Sequence, residues 1–350
     1  MVVENIEKRK RNILRAIIRE HILTAEPIGS RTLAKTYEFG VSSATIRNEM
    51  ADLEDMGYLT QPHTSAGRIP SDKGYRYYVD VLMEQEGIPE HLQKSLSRFY
   101  NEKKGVKGII SNMVKMLSKM TKYTTMISEP QLQKSKIRNL QLIKVAKRSL
   151  LIVLITDTGI VNNKIINLKQ ELTSRQLRYI NRYLVSKLQG KELTSIDEDF
   201  INQIEAELIK QINFSQTKEM FDILYEELSG ITKSGDLRIY LGGTSYILEQ
   251  PEFNDMETLK KVLNILEQEE ILRELIDDAS NEDIKVKIGH ENQLKEMEKC
   301  SIVIATYYLG DRAIGKIGVL GPTRMEYPRV ISTVDLAADV LGKIISKVSR

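Results

Sequence analysis

Residue types that support catalysis, metal binding or cross-linking are scarce in this sequence. Its 350 residues include one cysteine, Cys300, and four widely separated histidines: His21, His63, His91 and His290. A single cysteine excludes an internal disulfide framework and a cysteine-based zinc cluster, and no two histidines have metal-pair spacing. The chain has no G-x-S-x-G or H-E-x-x-H motif. We therefore expect neither an enzyme nor a protein with a metal or cofactor.

Long apolar runs and a strong net charge are also missing. No window of 18 apolar residues occurs, which excludes a membrane-spanning helix. The first eight residues lack the apolar core of a secretory signal, so we expect a cytoplasmic protein. The net charge of +3 does not by itself indicate a nucleic-acid partner. A chain of this length is expected to form two or three domains.

The small net charge hides a strong segregation of charge along the chain. Residues 91–148 hold 14 Lys and Arg against 2 Asp and Glu, whereas residues 249–299 hold 7 against 15. The first 78 residues are nearly balanced, with 12 against 10. Opposite blocks of this size favour contacts between domains or subunits, or with a charged partner, over a general DNA-binding charge.

The first eighty-five residues have the pattern of a small helical domain. Apolar spacing predicts a helix over residues 5–22, and Pro27 and Gly29 then end it. Ser30 is placed to cap a short second helix over residues 31–35. A third helix is predicted from Ser42 or Ser43, as N-cap, to just before Gly57. Its apolar stripe is Ile46, Met50 and Leu53, and its opposite face carries Ser43, Ala44, Arg47, Asn48 and Ala51.

That polar face has the chemistry of a DNA-recognition helix. Arg47 could bridge O6 and N7 of guanine, Asn48 could bridge N6 and N7 of adenine, and small neighbours would let the helix enter a major groove. The plainer alternative is a solvated polar face, which is common for an isolated Arg-Asn pair. Arg31, Ser42, Ser43 and Thr45 lie where they could contact backbone phosphates.

A hairpin and a fourth helix follow. Residues 58–61 and the segment ending at Pro70 predict two strands around a Pro- and Gly-bounded loop. Its polar residues suit phosphate or minor-groove contacts: His63, Thr64, Ser65 and Arg68. Ser71 is predicted to cap a helix from Asp72 to about Gln85. Three helices and such a hairpin predict a winged helix-turn-helix DNA-binding domain over residues 1–85.

The rest of the chain indicates an α+β domain split by an insertion. Apolar residues over 91–122 step by four and three, which predicts a coiled-coil-like seam that Gly105 and Gly108 could break into two helices. Three strands are predicted over residues 137–168, helices over 171–229, and further strands and helices up to residue 347. Apolar faces on the helices of the insertion could support dimerisation.

Long stretches of the chain resemble the HrcA family of heat-inducible transcription repressors. The resemblance rests on residues 26–33, 42–54 and 57–76, and near the C-terminus on residues 288–292 and 317–325. It implies a GAF-like domain interrupted by an inserted dimerising domain. The expected division is residues 90–170 and 246–350 for the GAF-like domain and 171–245 for the insertion.

The same resemblance implies a function. Members of the family are expected to bind, as dimers, the CIRCE inverted repeat in double-stranded DNA upstream of chaperone operons. The resemblance also implies that the chaperonin GroEL helps maintain the active repressor, and that heat derepresses the genes when GroEL is titrated away. The expected DNA-binding residues are those named above. One alternative is a regulator gated by a metabolite in the GAF-like domain, which a thermal-shift screen would detect. Another is an enzyme built on the α+β domain, against which the missing catalytic motifs argue.

Overall fold

The elements of the protein fall into three packed groups. The computed structural model describes residues 6–63, 66–84, 87, 90–97, 105–131, 135–212, 218–233, 238–276 and 283–348. We call residues 6–84 the N-terminal unit, residues 135–233 the inserted unit, and residues 105–131 with 238–348 the sheet unit. The α+β class predicted from the sequence is confirmed.

The N-terminal unit contains the predicted helices and hairpin. Its elements are α1 (Lys8–Thr24), α2 (Ser30–Thr36), α3 (Ser43–Asp55), β1 (Leu59–Thr60), β2 (Ile69–Pro70) and α4 (Asp72–Tyr77). Ser71 caps α4 as expected, because its hydroxyl accepts a hydrogen bond from the Gly74 N–H at 3.1 Å. The helix ends somewhat before the predicted end at about Gln85: it continues as a π-helical turn over Tyr78–Leu82, and the Met83 backbone is extended.

The sheet unit is a five-stranded antiparallel sheet with helices on both faces. Its strands are β3 (Thr124–Ser128), β7 (Ile239–Gly242), β8 (Ile284–Ile288), β9 (Cys300–Leu309) and β10 (Arg312–Pro322), in the order β7-β3-β10-β9-β8. Alternate residues face opposite sides, as in any strand. Val303 and Ile317 face α6 (Val106–Thr121) and α12 (Tyr327–Val348). Ile302 and Leu320 face α10 (Met256–Glu267) and α11 (Glu269–Ile276).

The apolar repeat over residues 91–122 packs within the chain. The repeat is divided between two helices, α5 (Glu90–Ser97) and α6, and Gly105 is the N-cap of α6. The α6 part of the stripe is buried: Val106, Ile110, Met113, Leu117 and Met120. It packs against β3, β7 and α12. The predicted stripe is therefore confirmed on α6, but it serves the core of the sheet unit, while positions 99 and 103 lie outside the described residues.

The inserted unit joins a β-meander to three helices. The three predicted strands are present as β4 (Ile137–Ala146), β5 (Ser149–Thr156) and β6 (Val161–Asn167), and they form an antiparallel sheet that is separate from the five-stranded one. Helices α7 (Ser174–Leu188), α8 (Glu198–Ile212) and α9 (Lys218–Lys233) cover one face and share one hydrophobic cluster with it.

This packing corrects the expected edges of the insertion. The sequence-based division put residues 137–168 in the GAF-like domain and began the insertion at residue 171. Their buried side chains instead pack with the helices that follow, so the insertion begins between Gln131 and Ser135. At the other end, β7 pairs with β3 of the five-stranded sheet, so the insertion ends before Arg238 and not at residue 245.

The N-terminal unit and the sheet unit share a single hydrophobic cluster. Tyr75 of α4 and Tyr327 at the start of α12 are both fully buried, and their ring centroids are 6.0 Å apart. The Tyr75 hydroxyl is hydrogen-bonded to Nδ1 of His21 at 2.6 Å.

Among the described residues, no helix combines the length and the apolar character needed to cross a membrane.

The half-buried His21 makes the stability of the fold depend on pH. Burial, and after it the charge of Arg324, lowers the pKa of His21 from 6.5 to about 4. Between these values the unfolded chain binds more protons, so the free energy of unfolding falls as the pH drops through this window. We expect His21 to account for a loss of about 2–3 kcal/mol between pH 7 and pH 4. Urea titrations of the wild type and His21→Gln at several pH values measure it, and parallel curves would contradict it.

Candidate nucleic-acid interface

Helix α3 is built to present one polar face. Ser42 is its N-cap, and the Ser42 hydroxyl accepts a hydrogen bond from the Thr45 N–H at 3.2 Å. The predicted stripe of Ile46, Met50 and Leu53 is buried. Burial of that stripe against α1, α2 and β1 fixes the rotation of the helix about its axis.

The fixed rotation leaves the two predicted base-reading side chains in solvent. Arg47 and Asn48 are both exposed, one and two residues beyond the buried Ile46. Both lie in the first two turns of α3, near the end where Ser42 is also exposed. A helix N-terminus favours nearby anions because its first N–H groups lack helical acceptors. This end of α3 therefore combines hydrogen-bond donors, a cation and an amide on one accessible surface.

The predicted phosphate-contacting residues lie around this end. Arg31 is exposed in the first turn of α2, whereas Ser43 and Thr45 are half-buried. The hydroxyls of Ser42 and Thr45 are 3.0 Å apart, and either one can donate to the other. Both hydroxyls thus already take part in the cap, and the remaining proton is available to an approaching acceptor.

The hairpin next to α3 is held by main-chain pairing. Strands β1 and β2 pair antiparallel, and Arg68 and Ile28 exchange two backbone hydrogen bonds of 2.9 Å. Gly67 is required here, because a Cβ atom at this position would lie 2.4 Å from the Ile28 carbonyl oxygen. His63 is exposed, whereas Thr64 and Ser65 lie outside the described residues.

The side chain of Arg68 has an intramolecular partner. Its Nε–H donates to Oε2 of Glu54 on α3 at 2.6 Å, and the side chain is largely covered. Arg68 therefore links the hairpin to α3 in this structure. The sequence-based prediction of a phosphate contact by Arg68 stays a prediction, and such a contact would compete with Glu54.

The acidic residues of α3 are mostly paired with cations, a feature that sequence reasoning missed. Nζ of Lys10 on α1 lies 2.9 Å from Oε2 of Glu49 and 3.0 Å from Oδ2 of Asp52. Arg9 lies 3.4 Å from the other Glu49 oxygen. The basic run at residues 8–11 is visible in the sequence, but its partners on α3 are set by the packing of α1. Pairing reduces the repulsion that these carboxylates would exert on DNA phosphates.

Lys10 is expected to support DNA binding without touching DNA itself, so removing its charge should weaken binding. In Lys10→Met Asp52 loses its Lys10 partner and Glu49 keeps only Arg9. We therefore expect the affinity for specific and random DNA alike to fall roughly three- to tenfold. Adding Asp52→Asn should restore part of the loss. Lys8→Met is the matched control, because it removes the same charge from an exposed site on the same helix. A salt-series anisotropy titration compares the variants, and equal affinities for Lys10→Met and Lys8→Met would refute this role.

Comparison with known proteins identifies the family. A family model described as the HrcA protein C terminal domain matches residues 107–331. The chain is 41% identical to a heat-inducible transcription repressor HrcA of Pelotomaculum thermopropionicum, over 99% of this chain and 98% of that protein. It is 39% identical to the HrcA repressor of Desulforamulus reducens, over 99% of both. The chain belongs to the HrcA family. Family members are transcription repressors and not enzymes, in agreement with the expectation from sequence.

A solved structure shares the fold of this HrcA chain. A crystal structure described as that of a hypothetical protein aligns with a TM-score of 0.64 at 24% identity, over 98% of this chain and 100% of that one. This likeness extends through all three units of the chain. It concerns the fold alone.

The described part of this HrcA chain shows little that indicates catalysis. Cys300 is buried, and burial raises the pKa of its thiol to about 12, so the thiol is un-ionised at neutral pH. Cys300 is therefore a core residue. Within the described part of the chain, no three His, Cys, Asp or Glu side chains are grouped so that they could hold a metal ion.

Proposed function

We propose that this HrcA protein is a negative regulator of transcription that binds, as a dimer, the CIRCE inverted repeat upstream of heat-shock chaperone operons. The observation that carries the proposal is the exposed Arg47 and Asn48 on the capped end of α3, beside acidic residues that are paired with cations. Full-length likeness to curated heat-inducible repressors supports the same function.

The N-terminal unit is proposed to act as a winged helix-turn-helix, with α3 in a major groove. Arg47 would bridge a guanine and Asn48 an adenine. Backbone phosphates would be bound by Arg31 and by the hydroxyl residues at the start of α3, namely Ser42, Ser43 and Thr45. The hairpin would be the wing, where His63, Thr64, Ser65 and Arg68 contact the backbone or minor groove.

Dimerisation is proposed to use the outer face of the inserted sheet, opposite α7–α9. Strand register sets Ile143, Leu151 and Ile165 side by side in one row on this face. Ile143, Val145, Val161 and Ile165 are between 44% and 59% exposed. Neighbouring apolar side chains on one sheet face are a typical site of self-association.

The sheet unit is proposed to be the GAF-like domain that links dimerisation to DNA binding. The family resemblance implies that the chaperonin GroEL maintains the active repressor, and that heat derepresses the operons when the chaperonin is occupied elsewhere. In this proposal DNA affinity depends on chaperonin supply and temperature.

An anisotropy titration tests the proposal. The full-length chain should bind a labelled CIRCE duplex on the order of 1,000-fold more tightly than a scrambled duplex of equal composition. A linear fall of log affinity with log salt concentration is expected for both duplexes. Equal affinity for the two duplexes would overturn the assignment of α3 as a sequence-reading helix.

A groove gives the metabolite-gated alternative a specific place. It has a volume of about 630 Å³ between β9 and α12, and its lining includes Asp283, Tyr308, Asp335 and Asp339. Burial, together with the charges of Asp339 and Asp283, raises the pKa of Asp335. Such a groove suits a cationic ligand. A cation that raises the melting temperature and also changes CIRCE affinity would favour this alternative.

A further inference from the structure

The N-terminal unit is attached to the sheet unit by a polar contact that its DNA-binding role does not explain. The end of α1 and the exposed edge of α4 meet the turn over residues 286–291 and the side chain of Arg324. We call this contact the interdomain joint. Its sheet-unit side includes Val286 and residues of the two C-terminal segments that carry the family resemblance, 288–292 and 317–325.

Arg324 ties the end of α1 to the sheet unit. Its guanidinium is 11% exposed and donates to Glu252 and, at 3.0 Å, to Oε1 of Gln250. Its Nη1 donates to the Ile22 carbonyl oxygen at 3.1 Å. The Ile22 carbonyl is one of the last four of α1, and no N–H group of the helix donates to these carbonyls. Arg324 therefore caps α1 from another unit of the protein.

Arg76 ties α4 to the same unit. Its Nε donates to Oε1 of Glu291 at 2.9 Å, and its Nη2 donates to the other carboxylate oxygen and, at 2.6 Å, to the Val286 carbonyl. The Glu291 carboxylate is itself positioned by the Ile288 N–H at 2.9 Å. A bidentate arginine–carboxylate pair of this kind fixes the relative orientation of the two segments as well as their distance.

A glycine lets the Asp72 carboxylate approach the turn closely. Gly289 has a φ of +53°, and a Cβ atom there would lie 2.1 Å from Oδ2 of Asp72 at the start of α4. That oxygen accepts hydrogen bonds from the backbone N–H and the Nδ1 of His290, at 3.0 and 2.6 Å. A side chain at position 289 would therefore displace the Asp72 carboxylate and break its hydrogen bonds to His290, which loosens the contact between α4 and the turn.

The joint also positions α3, because α1 and α3 are packed and ion-paired with each other. Lys10 of α1 is paired with Glu49 and Asp52 of α3, and buried residues of both helices belong to the cluster that also contains Tyr327. Fixing the end of α1 and the side of α4 therefore fixes α3 relative to the five-stranded sheet.

We propose that the interdomain joint makes Arg76, Gly289, Glu291 and Arg324 determinants of the operator spacing that the dimer accepts. This inference rests on the proposed function, dimeric binding of an inverted repeat. In a dimer with rigid joints, the second α3 reaches its half-site only when that half-site lies at the matching distance and on the matching side of the duplex. A loose joint lowers the effective concentration of the second α3 and widens the range of spacings it can reach.

The test compares three labelled duplexes with the full-length chain. One carries the CIRCE repeat, one has about 5 bp, half a helical turn, inserted between its halves, and one carries a single half-site. The wild type should prefer the first over the second on the order of 100-fold. In Arg76→Ala and Gly289→Ala this ratio should fall below about 10-fold, while half-site affinity stays within about twofold. Lys261→Ala, which removes a cation paired within α10, is the control and should keep the wild-type ratio.

The outcomes separate the joint from the proposed function. If the wild type binds all three duplexes equally, dimeric operator reading fails and the joint's role fails with it. If the wild type discriminates and both joint variants keep the full ratio, the inference about the joint alone is overturned. If both variants also lose half-site binding, Glu291→Gln decides, because it removes only the charge that pairs with Arg76: a reduced ratio supports the joint, and an unchanged ratio overturns it.

Discussion

Replacing Ile143 and Ile165 with aspartate is expected to turn the proposed dimer into a monomer and to lower the affinity for CIRCE DNA at least 100-fold. The two side chains flank Leu151 in one row across β4, β5 and β6. Two carboxylates in this row would have to be buried unpaired at the interface, which costs several kcal/mol. Loss of the second reading helix removes avidity worth about 100- to 10,000-fold.

The effect should be specific to this face of the sheet. Leu248→Asp is the matched control, since Leu248 is 59% exposed, as is Ile165, but lies on the sheet unit. Sedimentation equilibrium should give one chain per particle for the double variant and two for the wild type and the control. Binding to a single half-site should be unchanged. A double variant that remains dimeric would show that dimerisation uses another surface.

Replacing Arg47 with alanine is expected to cost about 1–3 kcal/mol in CIRCE binding and to relax the preference at one base pair. The side chain is exposed and α3 is held from its other face, so the substitution should leave the fold intact. Binding to scrambled DNA should change much less, because only a base contact is removed.

Two other arginines separate base reading from general attraction. Arg19→Ala removes an exposed arginine of α1 in the same unit and should leave base preference unchanged. Arg68→Ala should weaken binding to all DNA sequences alike and reduce the slope of log affinity against log salt concentration by about one. It also leaves Glu54 without its hairpin partner. Titrations against duplexes substituted at each position measure the preference. An Arg47→Ala profile identical to the wild-type profile would contradict the base-reading role.

Local features of the N-terminal unit could be predicted from sequence because short-range rules determine them. Ser42 caps α3 and Ser71 caps α4 through contacts three residues away. The spacing of Ile46, Met50 and Leu53 determined which face of α3 is buried. The exposure of Arg47 and Asn48 followed from that same spacing.

Features that depend on distant segments could not be predicted in this way. Strands 137–168 have the same period whether they join a five-stranded sheet or a separate meander, so the edge at 171 was misplaced. The apolar stripe of α6 could pack equally well against a coiled-coil partner or against a sheet. The acidic block at 249–299 was expected to make contacts between domains or subunits. Glu291 does so, because it pairs with Arg76 of the N-terminal unit, whereas Glu252 pairs with Arg324 inside the sheet unit.

Hydroxyl-radical footprinting of the full-length chain on a CIRCE duplex tests the central claim most directly. The account predicts two protected patches on one face of the duplex, one in each half-site and related by two-fold symmetry, with two chains bound. Arg47→Ala should weaken both patches equally, because each protomer contributes one α3. A single patch, or protection that Arg47→Ala leaves unchanged, would contradict the account.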